Sequence, residues 1–357
     1  MSFVDTQLHA ALSRVLAGVQ YDVLRRRVAA LSERYRCERV DDGTPGMRDD
    51  LDCLAYAVVR MPATCRALHA ALLAADRHVV STFTTHLDLG GGTGAAAWAA
   101  AAVWPGITTE IVEREPAAIR LGRRLADGDQ RRRLPDGNQG RHVVDTDQDP
   151  HVVDGNEGRP VDPTWTAADL RRWTPHCQVD LITICYVLNE LSDTGRRDLI
   201  NTAARTAGTV VIVEPGTPRG HRRILDARAQ LIEHGLTIAA PCPHQVGCPL
   251  VPADWCHFAV RLPRTELHRL LKDGTRNYED EKFTYLVATR APARIAPARV
   301  IARPGRPKGR VLLDLCTAAG TREQTAVPKS SSSYRAACST TWGDAWSASV
   351  ESSGQRS

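Results

Sequence analysis

Lysine is almost missing from this chain. Only Lys272, Lys282, Lys308 and Lys329 occur, so nearly all of the positive charge is arginine. A basic surface built this way favours forked contacts with planar acceptors such as carboxylate and phosphate. Long apolar runs are missing too. The longest candidate, Ala95 to Val103, falls short of the roughly 18 residues needed to cross a bilayer, so no membrane partner is expected. Nor does the N-terminus, Met1-Ser-Phe-Val-Asp5, carry the basic start and apolar core of a secretory signal. The location expected on that ground is cytoplasmic, with the ten cysteines reduced. What is present is ordinary for a globular chain. Its 357 residues, 43% hydrophobic and 24% charged, allow two or three domains and a sizeable core. A net charge of +5 makes RNA an allowed partner and establishes no more.

One stretch organises the rest: His86-Leu-Asp88-Leu-Gly90-Gly-Gly92-Thr-Gly94, followed by the apolar run from Ala95. A strand ending in Asp-Leu-Gly, further glycines at the turn and then a helix hold a nucleotide-type cofactor by backbone, because the missing side chains let the chain approach it. No lysine follows the glycines, so a P-loop is excluded. The register Asp88-x-Gly90-x-Gly92-x-Gly94 resembles motif I of S-adenosylmethionine-dependent methyltransferases, which makes Asp88, Gly90, Gly92 and Gly94 the expected cofactor-binding set.

Upstream, residues 1–80 read as helices from the spacing of Leu8, Leu12, Val15 and Leu16, then Val23, Leu24, Val28 and Leu31. A break is expected at Pro62 with Thr64 as a cap. From Thr84 strands alternate with helices, so the fold class expected is α/β, a doubly wound, Rossmann-like methyltransferase domain over residues 81–290. The second strand ends at Glu113, placed to accept hydrogen bonds from a ribose, with Glu115 as fallback. Residues 127–163 interrupt the pattern. There Asp136-Gly-Asn-Gln-Gly-Arg-His-Val recurs as Asp154-Gly-Asn-Glu-Gly-Arg-Pro-Val, a polar repeat expected to form a disordered insertion. Asp169 then stands where a methyltransferase would recognise the adenine amino group. The strand Val179 to Cys185 breaks into Tyr186-Val-Leu-Asn189-Glu190, the edge where ligands sit in open sheets. Base-amine methylation would bring an Asn/Asp-Pro-Pro-Tyr/Phe edge here, and it is absent. Asn189 and Glu190 are the nearest candidates for chemistry.

The second informative stretch is Cys242-Pro-His244-Gln-Val-Gly-Cys248, continuing to Trp255-Cys256-His257-Phe258. Three cysteines and two histidines in seventeen residues, in a loop (241–258) without helical or strand period, need something to close around. Metal is the economical answer. Zinc could take Cys242, Cys248, Cys256 and either His244 or His257. A four-thiolate cluster would instead draw Cys316 from the end of a later strand.

These residues, together with Arg60-Met-Pro-Ala-Thr64, Asn189-Glu-Leu191, Glu214-Pro-Gly-Thr-Pro-Arg-Gly220, Tyr278-Glu-Asp-Glu-Lys-Phe283, Cys316 and Trp342-Gly-Asp344, resemble the bacterial and mitochondrial methyltransferase-like family associated with the small ribosomal subunit. The resemblance spans nearly the whole chain outside 127–163. It implies a methyltransferase fold with S-adenosylmethionine as cofactor, a 4Fe-4S cluster on Cys242, Cys248, Cys256 and Cys316, and the small ribosomal subunit and its rRNA as partners of a monomer. It also implies a role in subunit assembly or rRNA methylation, the former with or without methyl transfer. A small-molecule methyltransferase with a structural zinc loop is the alternative from outside the family. Residues 291–327 read as a small basic β-extension, with Arg303, Arg306, Lys308 and Arg310 as candidate phosphate contacts. The serine-rich end, 328–357, is expected to be disordered.

Overall fold

A computed structural model describes residues 3–36, 47, 49–127, 162–250, 254–272 and 276–347. The polar repeat therefore lies outside the described residues. Four helices open the chain: α1 (Phe3–Val15), α2 (Tyr21–Arg36), α3 (Asp50–Val59) and α4 (Met61–His78). The Asp49 side chain caps α3 by accepting from Asp52 N at 2.8 Å. The break to α4 falls at Arg60 rather than Pro62. Pro62 sits in the first turn, where a missing N–H costs nothing, and Thr64 lies buried inside the helix instead of capping it.

Alternation then begins with β1 (Thr85–Leu89), α5 (Ala95–Val103), β2 (Thr108–Glu113), α6 (Pro116–Ala126), β3 (Thr164–Ala167) and β4 (Val179–Cys185). It continues through α7 (Asp193–Thr206), β5 (Ala207–Pro215), α8 (Pro218–Glu233), β6 (Thr237–Ala240), β7 (Phe258–Pro263), α9 (Glu266–Leu271) and β8 (Tyr278–Thr289). These strands make one sheet in the order β3-β2-β1-β4-β5-β8-β6, with β7 also on β8. The first five are parallel, and β8 runs against β5. Alternation along β5 explains the two layers. Val211 and Val213 face the core shared with α1–α6, while Val210 and Ile212 face the core shared with α7 and α8. Because the chain leaves β1 toward β2 and later returns to β4 on the other side, a crevice opens at the carboxyl ends of β1 and β4. This is the Rossmann-like α/β methyltransferase architecture expected.

A second sheet follows, built from β9 (Ala298–Val300), β10 (Arg310–Thr317), β11 (Arg322–Pro328) and, after α10 (Tyr334–Ser339), β12 (Ala345–Trp346). Its order is β11-β10-β9-β12. The expectation of a disordered tail from residue 328 is thus corrected up to Ser347. The serines hide two apolar anchors, Ala337 and Trp346, which are buried against Val300, Val311 and Leu313. Residues 348–357 lie outside the described residues.

Candidate functional site

The cleft over β1 and β4 is lined by Asp88, Gly90, Gly92, Glu113, Asp169, Tyr186 and Glu190, among others. Its floor is the glycine turn. Gly90 and Gly92 line the cleft with φ of 74° and 55°, while Gly94, at 91°, packs behind it against Ile111 and Trp165, and side chains resist all three conformations. Gly91 is needed for a different reason: a Cβ there would stand 2.1 Å from Asp88 Oδ2. The turn is held from two sides. Gly92 N donates to Glu113 Oε2 at 2.9 Å, and Gly92 O accepts from Trp165 Nε1 at 3.2 Å.

Glu113 is more occupied than the sequence implies. Its Oε1 also accepts from Arg114 N and Glu115 N, both at 2.8 Å. A carboxylate has about four acceptor positions, so three are spent on backbone and one remains to face the cleft. Burial raises its pKa in spite of these donors. Asp88 is completely desolvated, which pushes its carboxyl up to about 7, while Thr183 Oγ1 donates to it at 2.6 Å. Thr183 in turn sits 2.8 Å from His86 Nε2, and His86 Nδ1 is 3.0 Å from Thr109 Oγ1. Since the Thr183 proton goes to Asp88, Nε2 carries the imidazole proton and Nδ1 accepts from Thr109. Burial holds His86 neutral, lowering it to about 3. Nothing in the local pattern announces this chain of groups, because its members come from β1, β2 and β4.

Asp169 lies on the cleft wall, but its carboxylate is held by Arg171, with Nη2 at 2.6 Å and Nε at 3.0 Å. That contact lowers it to about 2. Glu190 faces the cleft. Asn189, beside it in the short 3-10 turn Leu188–Glu190, lines a separate groove between α7 and α8. Sequence reasoning missed Tyr186, which has φ of 59°, an unfavourable conformation for an aromatic residue. Its hydroxyl donates to Glu281 Oε1 at 3.2 Å, and Glu281 is gripped by both Arg60 Nη atoms at 3.1 and 2.8 Å.

On the other side of β8 a second cavity is lined by Cys242, Cys248, Cys256 and Cys316, together with His244, Arg228 and Arg299. The four cysteines expected to converge do share this cavity. His244 Nε2 is 3.3 Å from Cys316 Sγ, whereas His257 is occupied elsewhere, stacked on Trp255 and edge-on to Trp342. Among the described residues, no three His, Cys, Asp or Glu side chains are close enough to hold a metal ion as they stand. Burial pushes the Cys316 thiol up to about 12 and Cys256 well above its ordinary value. Arg228 and Arg299 are each 5% exposed. Arg228 Nη2 donates to His244 O at 2.8 Å, and its Nε has no partner. Arg299 donates to Pro241 O at 2.9 Å and Gly343 O at 3.0 Å. Neither guanidinium meets a carboxylate among the described residues. This cavity is where the two sheets are tied together, since Arg299 belongs to β9 and Cys316 to β10.

A family described as the mitochondrial small ribosomal subunit protein Rsm22 matches residues 50–347. The human mitochondrial ribosome assembly protein METTL17 is 27% identical over 221 residues, 58% of this chain and 41% of that protein. Mitochondrial Rsm22-cox11 tandem protein 2 of Schizosaccharomyces pombe is 27% identical over 192 residues, 42% of this chain and 26% of that one. The chain thus spans less than half the length of the relatives it matches. Among solved structures, it is similar to magnesium protoporphyrin IX methyltransferase of Synechocystis with bound SAH (13% identical, 72% of this chain, 93% of that one, TM-score 0.36). Human N-acetylserotonin methyltransferase with SAM is a like case (13%, 79% and 70%, TM-score 0.36). The cytoplasmic location expected above is corrected by these findings, because the family and both relatives are named mitochondrial. An apolar core marks a secretory leader, whereas a mitochondrial address is amphipathic and arginine-rich, so lack of the first says nothing of the second. With the match running from residue 50 to 347, through the glycine turn, all four cavity cysteines and the small sheet, the chain belongs to the Rsm22 family.

Proposed function

We propose that this chain binds S-adenosylmethionine in the β1/β4 cleft and acts on the small ribosomal subunit during its assembly, through that subunit's rRNA. What carries the reading is a carboxylate-lined glycine turn in a chain of the Rsm22 family. The turn brings backbone rather than side chains to the ligand. Gly90 and Gly92 would lie under the cofactor with Gly94 opening the helix behind them, the spare acceptor position of Glu113 suits a ribose hydroxyl, and Asp88 would steady the turn from below. Asp169 suits the adenine amino group only by sharing its carboxylate with Arg171. Walls rich in carboxylate favour a sulfonium cation over a phosphorylated ligand.

Binding is better supported than turnover. Methyl transfer needs chiefly the alignment of a nucleophile with the methyl group. Of the two residues considered for chemistry, Asn189 opens on another groove and Glu190 alone reaches the cleft. An assembly factor that uses its cofactor as a structural ligand needs neither. The discriminating experiment pairs calorimetry of S-adenosylmethionine binding with methyl incorporation into small-subunit rRNA. Binding without incorporation supports the assembly role, incorporation supports an enzyme, and the absence of binding sinks the cofactor reading.

We infer also that Cys242, Cys248, Cys256 and Cys316 hold a 4Fe-4S cluster. The charge around them supports it. Two buried guanidiniums without a carboxylate, one of them with an unpartnered Nε, require an anion, and four thiolates on a cluster supply one. When bound, such a cluster would supply a covalent tie between the cysteine loop and β10. Zinc on three of these cysteines and a histidine is the alternative, and the described side chains, which gather around no metal as they stand, favour neither. Anaerobic protein should be brown and carry about four irons per chain. A colourless preparation with one zinc would refute the cluster.

A further inference from the structure

We propose that the end of the small sheet remote from Cys316 is the surface that grips RNA phosphates, an inference that rests on the ribosomal reading above and locates its contact.

The segment Arg303-Pro-Gly-Arg306-Pro-Lys308-Gly-Arg310 holds four cations and no acid. Its shape is fixed by backbone. Gly305 and Leu312 exchange hydrogen bonds at 2.9 and 2.8 Å, and Lys329 N donates to Gly309 O at 2.9 Å, which adds a fifth cation beside the turn. Pro304 and Pro307 stiffen the loop, so little freedom is lost when it binds. All five basic side chains are exposed. Arg306 reaches Thr340 O at 3.2 Å, and none of the five meets a carboxylate among the described residues. The nearest acid on β10, Asp314, is held by Arg322 at 2.6 Å.

A second group of basic and aromatic side chains lies on the antiparallel pair β7 and β8. Asp280 is held below the ordinary carboxylate range first by the hydrogen-bonded Arg261 fork, at 2.7 and 2.9 Å, and then by the nearby charges of Arg303 and Arg276. There the guanidinium of Arg261 lies 4.0 Å over the ring of Tyr278, which is 37% exposed. A ring and a guanidinium side by side offer an unpaired base something to stack on.

These features select RNA over a lipid surface. Four of the five loop cations are arginine or sit between arginines, and forked donors match phosphate oxygens. A membrane-docking face would also need several apolar side chains to insert, and within the small sheet Leu312 is the one large apolar residue exposed among the described residues. The position explains the architecture as well. Arg310 begins β10 and Cys316 nearly ends it, a separation of about 20 Å along the strand. The thiol cavity thus anchors one end of a lever whose other end carries the charge.

The test compares the full chain with R303A/K308A/R310A, and with R197A/R222A, exposed arginines on α7 and α8. Affinity for a small-subunit rRNA transcript is read against salt, and S-adenosylmethionine calorimetry is run on the same preparations. The triple variant should bind at least about tenfold more weakly, with the salt slope reduced by about 2, since each lost single-strand phosphate contact removes about 0.7. The double variant should keep both. Equal losses in the two variants, or preference of the wild-type chain for phosphatidylglycerol vesicles over RNA, would overturn the proposal. Wild-type protein that binds the cofactor but no RNA would also overturn it while sparing the cleft. Wild-type protein that binds RNA but no cofactor, with the loss confined to the triple variant, supports the surface and removes the cofactor reading alone.

Discussion

The two cavities of this molecule are of opposite electrical character. The cleft over β1 and β4 is walled by Asp88, Glu113, Glu115, Asp169 and Glu190, with Arg114 among them and paired to Glu115. The cavity behind β8 is walled by thiols and two buried guanidiniums. Each would be costly to leave empty of opposite charge. What the difference teaches is that one sheet can present acids at its strand ends and buried guanidiniums at its margin. The first site is assembled from consecutive residues. The second is assembled from a loop, a helix and a second sheet.

Gly92→Arg should break the first site and leave the second untouched. With φ of 55° and Glu113 Oε2 at 4.0 Å from its would-be Cβ, an arginine here is strained and lays its guanidinium on the carboxylate that the ribose would use. Cofactor affinity should fall by about 100-fold or more, about 2.7 kcal/mol, measured by calorimetry. Iron content should be unchanged. Retained affinity would mean that the ligand does not sit on the turn.

Cys316→Ser addresses the second site. Iron per chain should drop to a small fraction, while the exposed Cys338 changed to serine should retain it all. S-adenosylmethionine binding should persist in both variants, because β8 lies between the cavities. Equal iron loss in the two would show that the fourth thiolate is another residue.

How much of this was legible in the sequence follows the same division. Asp88, the glycines and Glu113 could be named because the turn and the strand end are local patterns, and the parallel sheet that joins them follows from alternation. Cys316 was reachable only through family resemblance, since it lies 60 positions beyond Cys256. Arg228 and Arg299 were not reachable at all, because a charged residue on an amphipathic helix or a short strand reads as solvated until its neighbours are known. The tail was misread for a related reason. Ala337 and Trp346 are single anchors among polar residues, and a period needs more than one.

Burial in the first site also makes stability depend on pH. Asp88 is raised to about 7 by burial, against about 3.9 in an unfolded chain. Between those values the folded protein holds a proton that the unfolded one lacks. The stabilising share is therefore complete below about pH 4 and is lost as the pH rises to about 7. Asp88→Asn should remove this slope, worth on the order of 4 kcal/mol across the window, in denaturant titrations. Glu214, also raised to about 7 by burial against the pull of Arg223, remains in both proteins, so the difference between the two curves isolates Asp88. Parallel curves would mean that water reaches Asp88.

The smallest expected effect separates support of the cleft from contact with its ligand. Gly122 on α6 does not itself line the cleft, yet a Cβ there would meet Trp165 Cζ2 at 2.5 Å and, less closely, the glycine turn at Thr93 O, 3.2 Å away. Trp165 is the indole that donates to Gly92 O, so the tighter of the two contacts reaches the turn through one intermediate. Overpacking of this kind costs about 1–3 kcal/mol, and Gly122→Ala should lower the melting temperature accordingly. Cofactor affinity should weaken only severalfold, because Glu113 still holds Gly92 N from the other side. The combination Gly122→Ala with Trp165→Phe decides the route. If the turn is pushed through the ring, losing the indole N–H should cost much less affinity in the Gly122→Ala background than in wild type, since the two changes act on one contact. Fully additive losses would show that α6 acts on the cleft by another path.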